Sequence, residues 1–212
     1  MRIKTGWAWS VVVAPVLIVA GCASLPDAAT TRQIAESVVK TGFSATPEHA
    51  KRLVQDKSQQ ICSTIGSAKL TPEEASEVVK LARASIQYPQ SGKLAGDWKV
   101  GAKLAYNGSG SRISGGNLEK AKENGALCSN CHVIDPKEFN VGNIGPSLTG
   151  FGAQRGNSEA MAKYTYEKIY NAWAYFPCSN MPRLGSSGHL TPEQITHVVA
   201  FLIDPQSPVN KK

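Results

Sequence analysis

Two cysteines and a histidine form the most chemically specific group in the sequence, Cys128-Ser129-Asn130-Cys131-His132. Cysteines three residues apart, followed at once by histidine, allow both thiols to add to the vinyl groups of haem while the imidazole binds the iron. Zinc would require four ligands, and the sequence has no second Cys-x-x-Cys motif. A thioredoxin-like dithiol would need a βαβ context, whereas the flanks are helical and glycine-rich. The motif therefore predicts one covalent haem c, attached to Cys128 and Cys131 and ligated by His132.

The sixth ligand of the iron has four candidates in the sequence. Met181 stands next to Pro182, on a segment between two predicted helices. Met161 falls within a predicted helix, where packing in the core is the ordinary role of a methionine. His197 belongs to the last predicted helix, and His189 to a loop rich in glycine and serine. A thioether on a proline-flanked loop is typical of a distal ligand, so we predict ligation by His132 and Met181, which raises the reduction potential relative to two histidines.

Residues 142–150, Gly-Asn-Ile-Gly-Pro-Ser-Leu-Thr-Gly, follow the cysteine motif closely. This stretch resembles the Gly-Pro-x-Leu-x-Gly loop of class I cytochromes c, in which the proline carbonyl accepts a hydrogen bond from the haem-ligating histidine. The resemblance gives that role to Pro146, and a ligating imidazole needs such a partner for its second ring nitrogen. A plain turn is the alternative, because Gly-Pro is common in turns.

Helices must position these residues, and two of them have clear start signals. Thr71-Pro72-Glu73-Glu74 and Thr191-Pro192-Glu193-Gln194 each place a threonine cap before a proline at the first helical position. The apolar stripe of the last helix consists of Ile195, Val198, Val199 and Leu202.

Three parts follow one another along the chain: a signal peptide over residues 1–22, a helical N-terminal extension over residues 23–95, and a cytochrome c domain over residues 96–212. Residues 88–116 are rich in glycine and serine and predict a loop-rich connector. Two further helices are predicted from Leu118 to Ala126 and from Ser158 to Trp173. The expected fold class is all-α, with a class I cytochrome c-like domain.

Residues 1–22 predict export. Arg2 and Lys4 precede an apolar stretch that is too short to span a membrane. It ends in Val19-Ala20-Gly21-Cys22, which resembles the lipobox of bacterial lipoproteins and would make Cys22 a lipidated membrane tether; ordinary cleavage beside small residues is the alternative. Both place the protein in the periplasm. The net charge of +7 includes no long basic run, which argues against nucleic acid as a partner.

The five cysteines leave two without a role once haem and the lipobox are counted, namely Cys62 and Cys178. An even remainder in an oxidising compartment predicts a disulfide between them. Two separate buried thiols are an alternative, since free cysteine packs as a small apolar residue. Cys178 could also serve as an iron ligand or as a bridge to a partner.

The segment Phe176-Pro177-Cys178-Ser179-Asn180-Met181-Pro182-Arg183-Leu184-Gly185 is more selective than the cysteine motif. Together with residues 142–150 and the C-terminal tail, it resembles SoxX proteins, the monohaem subunits of periplasmic SoxAX complexes of thiosulfate oxidation. The similarity covers about half of the chain, from Asn117 to Asn210.

The resemblance to SoxX proteins implies a SoxA-type cytochrome as partner in a heterodimer, transient contact with the carrier SoxYZ, and a downstream electron-accepting cytochrome. The oxidative coupling of thiosulfate to the SoxYZ cysteine would be catalysed on SoxA, so the resemblance assigns no catalytic residue to this chain. The alternatives are an independent or lipid-anchored electron shuttle, and a haem enzyme with an open iron, which Met181 would close.

Overall fold

The computed structural model describes residues 26–42, 54–64, 70–110, 112–114, 117–119, 124–138 and 142–211. The predicted signal peptide and Cys22 lie outside these ranges. The chain divides into two compact units, Met1–Phe43 and Ser44–Lys212. The first contributes α1 (Ala28–Gly42), which starts where the Asp27 carboxylate accepts a hydrogen bond from the Thr30 amide at 2.7 Å. The predicted boundary between residues 95 and 96 stays a prediction.

The second unit is mainly helical, in agreement with the predicted all-α class. Its helices are α2 (Lys57–Thr64), α3 (Pro72–Ala84), α4 (Trp98–Tyr106), α5 (Phe151–Arg155), α6 (Glu159–Tyr170) and α7 (Pro192–Ile203). Single 3₁₀ turns cover Cys128–Asn130, Ala172–Ala174 and Pro208–Asn210. Two short strands, β1 (Arg112–Ser114) and β2 (Asn117–Glu119), pair in an antiparallel ladder. None of the helices in the described ranges has the length and apolar character needed to cross a bilayer.

The two predicted helix starts are confirmed. At α7 the Thr191 hydroxyl accepts a hydrogen bond from the Gln194 amide at 3.2 Å, and the Gln194 side chain accepts one from the Thr191 amide at 2.9 Å. The Thr71 and Glu74 pair repeats this reciprocal capping at α3. In each helix the amide of the capping threonine and the amide of the third helical residue both find an acceptor. The caps therefore fix the residue at which the helix begins.

Helix α7 forms the centre of the core, and α4 crosses it at very short range. A Cβ atom on Gly101 of α4 would lie 1.9 Å from the carbonyl oxygen of His197, so only glycine permits this approach. Leu104 and Phe201 are both 1% exposed beside the crossing. Helix α6 packs against another side of α7 and adds Tyr166 and Ile169 to the core.

Helix α4 corrects the prediction that residues 88–116 are a loop-rich connector. Asp97 caps the helix by accepting a hydrogen bond from the Lys99 amide at 2.7 Å, and Val100 and Leu104 face the core. The sequence did not predict this helix because it is short and contains Gly101, and glycine has a low helix propensity. Tertiary packing against α7 outweighs that local cost.

The predicted helix from Leu118 to Ala126 is wrong. Residues 117–119 form β2, and residues 124–127 have no regular secondary structure. Amides that a helix would have used instead bond across the chain, from Gly125 to the Ser109 carbonyl at 2.7 Å and from Ala126 to the Leu104 carbonyl at 2.8 Å. The predicted helix from Ser158 to Trp173 is also shorter than expected, because α6 ends at Tyr170 and a 3₁₀ turn follows.

Residues 83–87, near the end of the predicted N-terminal extension, pack against residues 166–174, which precede Met181. The Arg83 guanidinium donates to the Ala174 carbonyl at 3.3 Å, and the Asn171 side-chain Nδ2 donates to the Ser85 hydroxyl at 3.0 Å. Tyr166 OH donates to the Gln87 carbonyl at 2.6 Å. These bonds anchor residues 83–87 to the end of α6 and the 3₁₀ turn after it.

Candidate functional site

The cysteine motif adopts one tight turn. Leu127 takes a left-handed conformation with φ of 38°, after which residues 128–130 form a single 3₁₀ turn. The amides of Cys131 and His132 both donate to the Cys128 carbonyl, at 3.1 and 2.9 Å. Both cysteines are free and half-buried, and burial raises the pKa of Cys128 to about 11. Before haem is attached, burial therefore disfavours the thiolate form of Cys128.

The His132 imidazole is fixed by the loop that follows the motif. Its Nδ1 lies 2.7 Å from the Pro146 carbonyl oxygen, so an Nδ1–H donated to that carbonyl leaves Nε2 as the nitrogen for a metal ion. The Gly145 amide donates to the Cys131 carbonyl at 2.7 Å. A Cβ atom on Gly145 would lie 2.3 Å from the imidazole Cε1, so a larger residue here would displace the ring.

Met181 lies in the irregular segment of residues 175–191, between the 3₁₀ turn Ala172–Ala174 and α7. The Trp173 indole donates to the Ser179 carbonyl at 2.8 Å, and the Met181 amide donates to the Ser179 hydroxyl at 3.2 Å. Further along, the Gly185 amide donates to the Tyr170 carbonyl at 3.0 Å. The Met181 side chain is half-buried and packs against the core.

The other three candidates for the sixth ligand have structural contacts of their own. His189 Nε2 lies 2.7 Å from the Gly125 carbonyl oxygen, and His197 Nδ1 accepts a hydrogen bond from the Asp97 amide at 2.8 Å. Each ring thus uses one nitrogen to hold a neighbouring loop. Met161 lies within α6 and packs against the core, as a structural methionine does.

A disulfide joins Cys62 of α2 to Cys178 of the Met181 segment. Cys178 has a φ of 60°, a left-handed conformation that few residues other than glycine adopt. In the structure Cys178 is therefore committed to Cys62 rather than available as an iron ligand or as a bridge to a partner.

The cysteine motif, the Pro146 loop and the Met181 segment border the same apolar core. Cys128, Leu148, Met181 and Leu184 pack against a buried cluster that includes Leu104. Two thiols, one imidazole nitrogen and one thioether beside an apolar core are the donors that haem c requires. The residues present therefore fit haem c, with Cys128, Cys131, His132 and Met181 as the side chains that could hold it.

Two further contacts of the Met181 segment were not indicated by the sequence. Arg183 Nη1 lies 2.7 Å from Asp56 Oδ2, and a Cβ atom on Gly185 would lie 2.3 Å from the Tyr170 ring. A charge pair between residues so far apart in sequence leaves no local pattern. The reciprocal capping pattern of Asp56 and Gln59 at the start of α2 was the one signal available.

Comparison with known proteins gives two matches. A family model for cytochrome c matches residues 119–204, a range that contains the cysteine motif, Met181 and α7. An uncharacterized lipoprotein of Aquifex aeolicus (strain VF5) is 40% identical over 180 residues, which cover 84% of this chain and 84% of the relative. Helix α4, which crosses α7, lies before the range that the family model matches. The chain belongs to the cytochrome c family and binds haem c covalently.

Proposed function

We propose that this cytochrome relays electrons as the SoxX-type subunit of a periplasmic SoxAX complex during thiosulfate oxidation. The observation that carries the proposal is the Met181 segment, whose Pro-Cys-Ser-Asn-Met-Pro-Arg sequence resembles that of SoxX proteins. Bound haem c supplies reversible one-electron chemistry. The chain itself would supply the residues that attach the haem and bind its iron.

The residues take distinct roles in this proposal. Cys128 and Cys131 would hold the haem by thioethers, His132 Nε2 and the Met181 sulfur would bind its iron, and the Pro146 carbonyl orients the imidazole through its 2.7 Å contact. One thioether and one imidazole as iron ligands would favour the reduced state relative to two imidazoles, so the site would suit an electron acceptor.

The substrate chemistry is assigned to the partner. A SoxA-type cytochrome would bind thiosulfate and couple it to the SoxYZ carrier cysteine, and this chain would pass the electrons to a downstream cytochrome. No residue of this chain is proposed to be catalytic. It is an electron-transfer subunit of a thiosulfotransferase complex.

Co-expression with a SoxA-type cytochrome tests the proposal. We expect a tagged copy of this chain to retain the untagged cytochrome at a one-to-one protein ratio, and the haem content to exceed one per copy of this chain. Thiosulfate and SoxYZ should then reduce the complex, whereas either cytochrome alone should stay oxidised. Elution of the chain as a monomer with the partner present would contradict the proposal.

The Aquifex relative supports a second candidate function, because that protein is a lipoprotein. A lipid-anchored shuttle, tethered through Cys22 on the outer face of a membrane, would serve another extracytoplasmic redox system. The two candidates differ in partner rather than in haem chemistry. Membrane-bound haem that is reduced without any SoxA-type cytochrome would favour the shuttle.

A further inference from the structure

We propose that Asp56, Arg183 and Trp173 are positioning residues for the Met181 thioether, and that through them helix α2 controls how readily another ligand replaces Met181 on the haem iron. The inference rests on the proposed ligation by Met181. It does not depend on which partner the protein serves.

Helix α2 holds the Met181 segment on both sides of the methionine. The Cys62–Cys178 disulfide fixes the chain before Met181, and the Asp56–Arg183 ion pair fixes it after Met181. Two connections from one short helix restrict the loop between them. Opening of the loop requires that at least one connection be released.

The Arg183 side chain is more enclosed than its partner Asp56. Its side chain is 17% exposed, its guanidinium carbon lies 4.4 Å from the centre of the Trp173 ring, and its Nη1 lies 2.7 Å from Asp56 Oδ2. The planar guanidinium can stack on the indole and bond the carboxylate at the same time, which an ammonium group cannot do. The Trp173 indole N–H donates to the Ser179 carbonyl at 2.8 Å, so the ring contacts the chain on both sides of Met181.

Asp56 connects the loop to the fold of α2. Its Oδ1 accepts a hydrogen bond from the Gln59 amide at 2.7 Å and so caps the helix, while its Oδ2 bonds Arg183. The Gln59 side chain accepts a hydrogen bond from the Asp56 amide at 2.9 Å. One carboxylate therefore joins the helix start to the ligand segment, and this shared use distinguishes it from an ordinary surface ion pair.

Two substitutions separate these roles in the full-length haem protein. Asp56→Asn keeps a good helix cap but removes the charge that pairs with Arg183. Arg183→Lys keeps the charge but removes the planar contact with Trp173. Glu77→Gln is the matched control, since it makes the same charge change as Asp56→Asn in an exposed pair of α3, 3.9 Å from Lys80.

The measurement is the rate at which imidazole replaces Met181 on the oxidised protein, followed by the loss of the near-infrared charge-transfer band. We expect both variants to accelerate replacement by about three- to fivefold, the size expected for a partly buried ion pair stacked on an aromatic ring. The double variant should be no faster than the faster single variant, because the two residues act as one unit. High salt should accelerate the wild type and leave Asp56→Asn nearly unchanged.

The Arg183→Lys variant distinguishes positioning of Met181 from an effect of charge. Arg183→Lys leaves the net charge unchanged, so a change in replacement rate in this variant cannot come from the field at the iron. Rates in both variants within experimental error of the wild type would overturn the proposal, as would equal acceleration by Glu77→Gln. Survival of the band in Met181→Ala would overturn the ligation itself, an outcome that is separate from any result with the electron-transfer partner.

Discussion

The orientation of a single ring determines whether His132 can serve the iron. The Pro146 carbonyl accepts its Nδ1 proton, and the absence of a side chain at Gly145 leaves room for the ring edge. Both partners lie within one short loop that backbone bonds join to the cysteine motif, from Gly142 to Ser129 and from Gly145 to Cys131. At this scale the sequence was informative, because the motif and its loop are close together along the chain.

Attachment through two thioethers gives the first prediction. Changing either Cys128 or Cys131 to Ala should leave a single thioether, and the double variant should contain no covalent haem. Haem that migrates with the polypeptide on a denaturing gel, quantified against protein, measures the result. The unchanged Cys62–Cys178 pair provides the control for folding and export, since intact-mass analysis should show it in each variant. Full haem content in the double variant would contradict the assignment.

At the scale of elements, local signals and long-range contacts were not equally readable. Helices α3 and α7 could be predicted because the capping residues of each helix lie within a single stretch of four residues. Helix α4 could not, because its stability depends on the crossing with α7, and the glycine that permits the crossing looks locally like a helix breaker. The strand β2 replaced a predicted helix for the same reason, since its partner strand is not evident from its own residues.

The α4–α7 crossing gives the second prediction. Gly101→Ala would place a methyl group 1.9 Å from the His197 carbonyl oxygen, so the helices must separate and lose packing. We expect destabilisation of about 1–3 kcal/mol, as for other overpacked core sites. Urea unfolding followed by circular dichroism measures it, and Lys103→Ala, exposed on the same helix, is the control. An unchanged midpoint for Gly101→Ala would show that the two helices can move apart at no cost.

The Cys62–Cys178 disulfide gives the third prediction. It spans a sequence separation of 116 residues, so its loss frees a long loop in the unfolded chain. Cys62→Ser should lower the free energy of unfolding by about 2–5 kcal/mol and keep covalent haem. The wild type in the presence of reductant should reproduce the lower urea midpoint. If two cysteines can be alkylated before reduction of the wild-type protein, the disulfide does not form.

For the molecule as a whole, residues 54–64 and 70–95 belong to the same compact unit as the cysteine motif. Their contacts with α6, the 3₁₀ turn and the Met181 segment make them part of the haem-binding structure rather than a separate attachment. The predicted Cys62–Cys178 disulfide indicated this packing from the sequence. The ion pair between Asp56 and Arg183 could not be predicted, because residues so far apart leave no local pattern.

The fourth prediction concerns attachment to a membrane. Cys22→Ser should move the protein from the membrane fraction to the soluble fraction after cell breakage, because lipidation requires the cysteine of the lipobox. Haem content and the near-infrared band should stay unchanged, which separates loss of the anchor from misfolding. Equal amounts of wild type and variant in the soluble fraction would favour cleavage without lipidation.

The disulfide that fixes the Met181 segment also sets an order of maturation. Cys62 precedes the cysteine motif in sequence and Cys178 follows it, so a chain exported from its N-terminus presents Cys62, then Cys128 and Cys131, and only then the native partner of Cys62. If haem is attached during translocation, the Cys128 and Cys131 thiols are consumed before Cys178 is exported. If haem supply is delayed, Cys62 can form a disulfide with Cys128 or Cys131 instead. We therefore expect the yield of mature protein to depend on the timing of cofactor delivery.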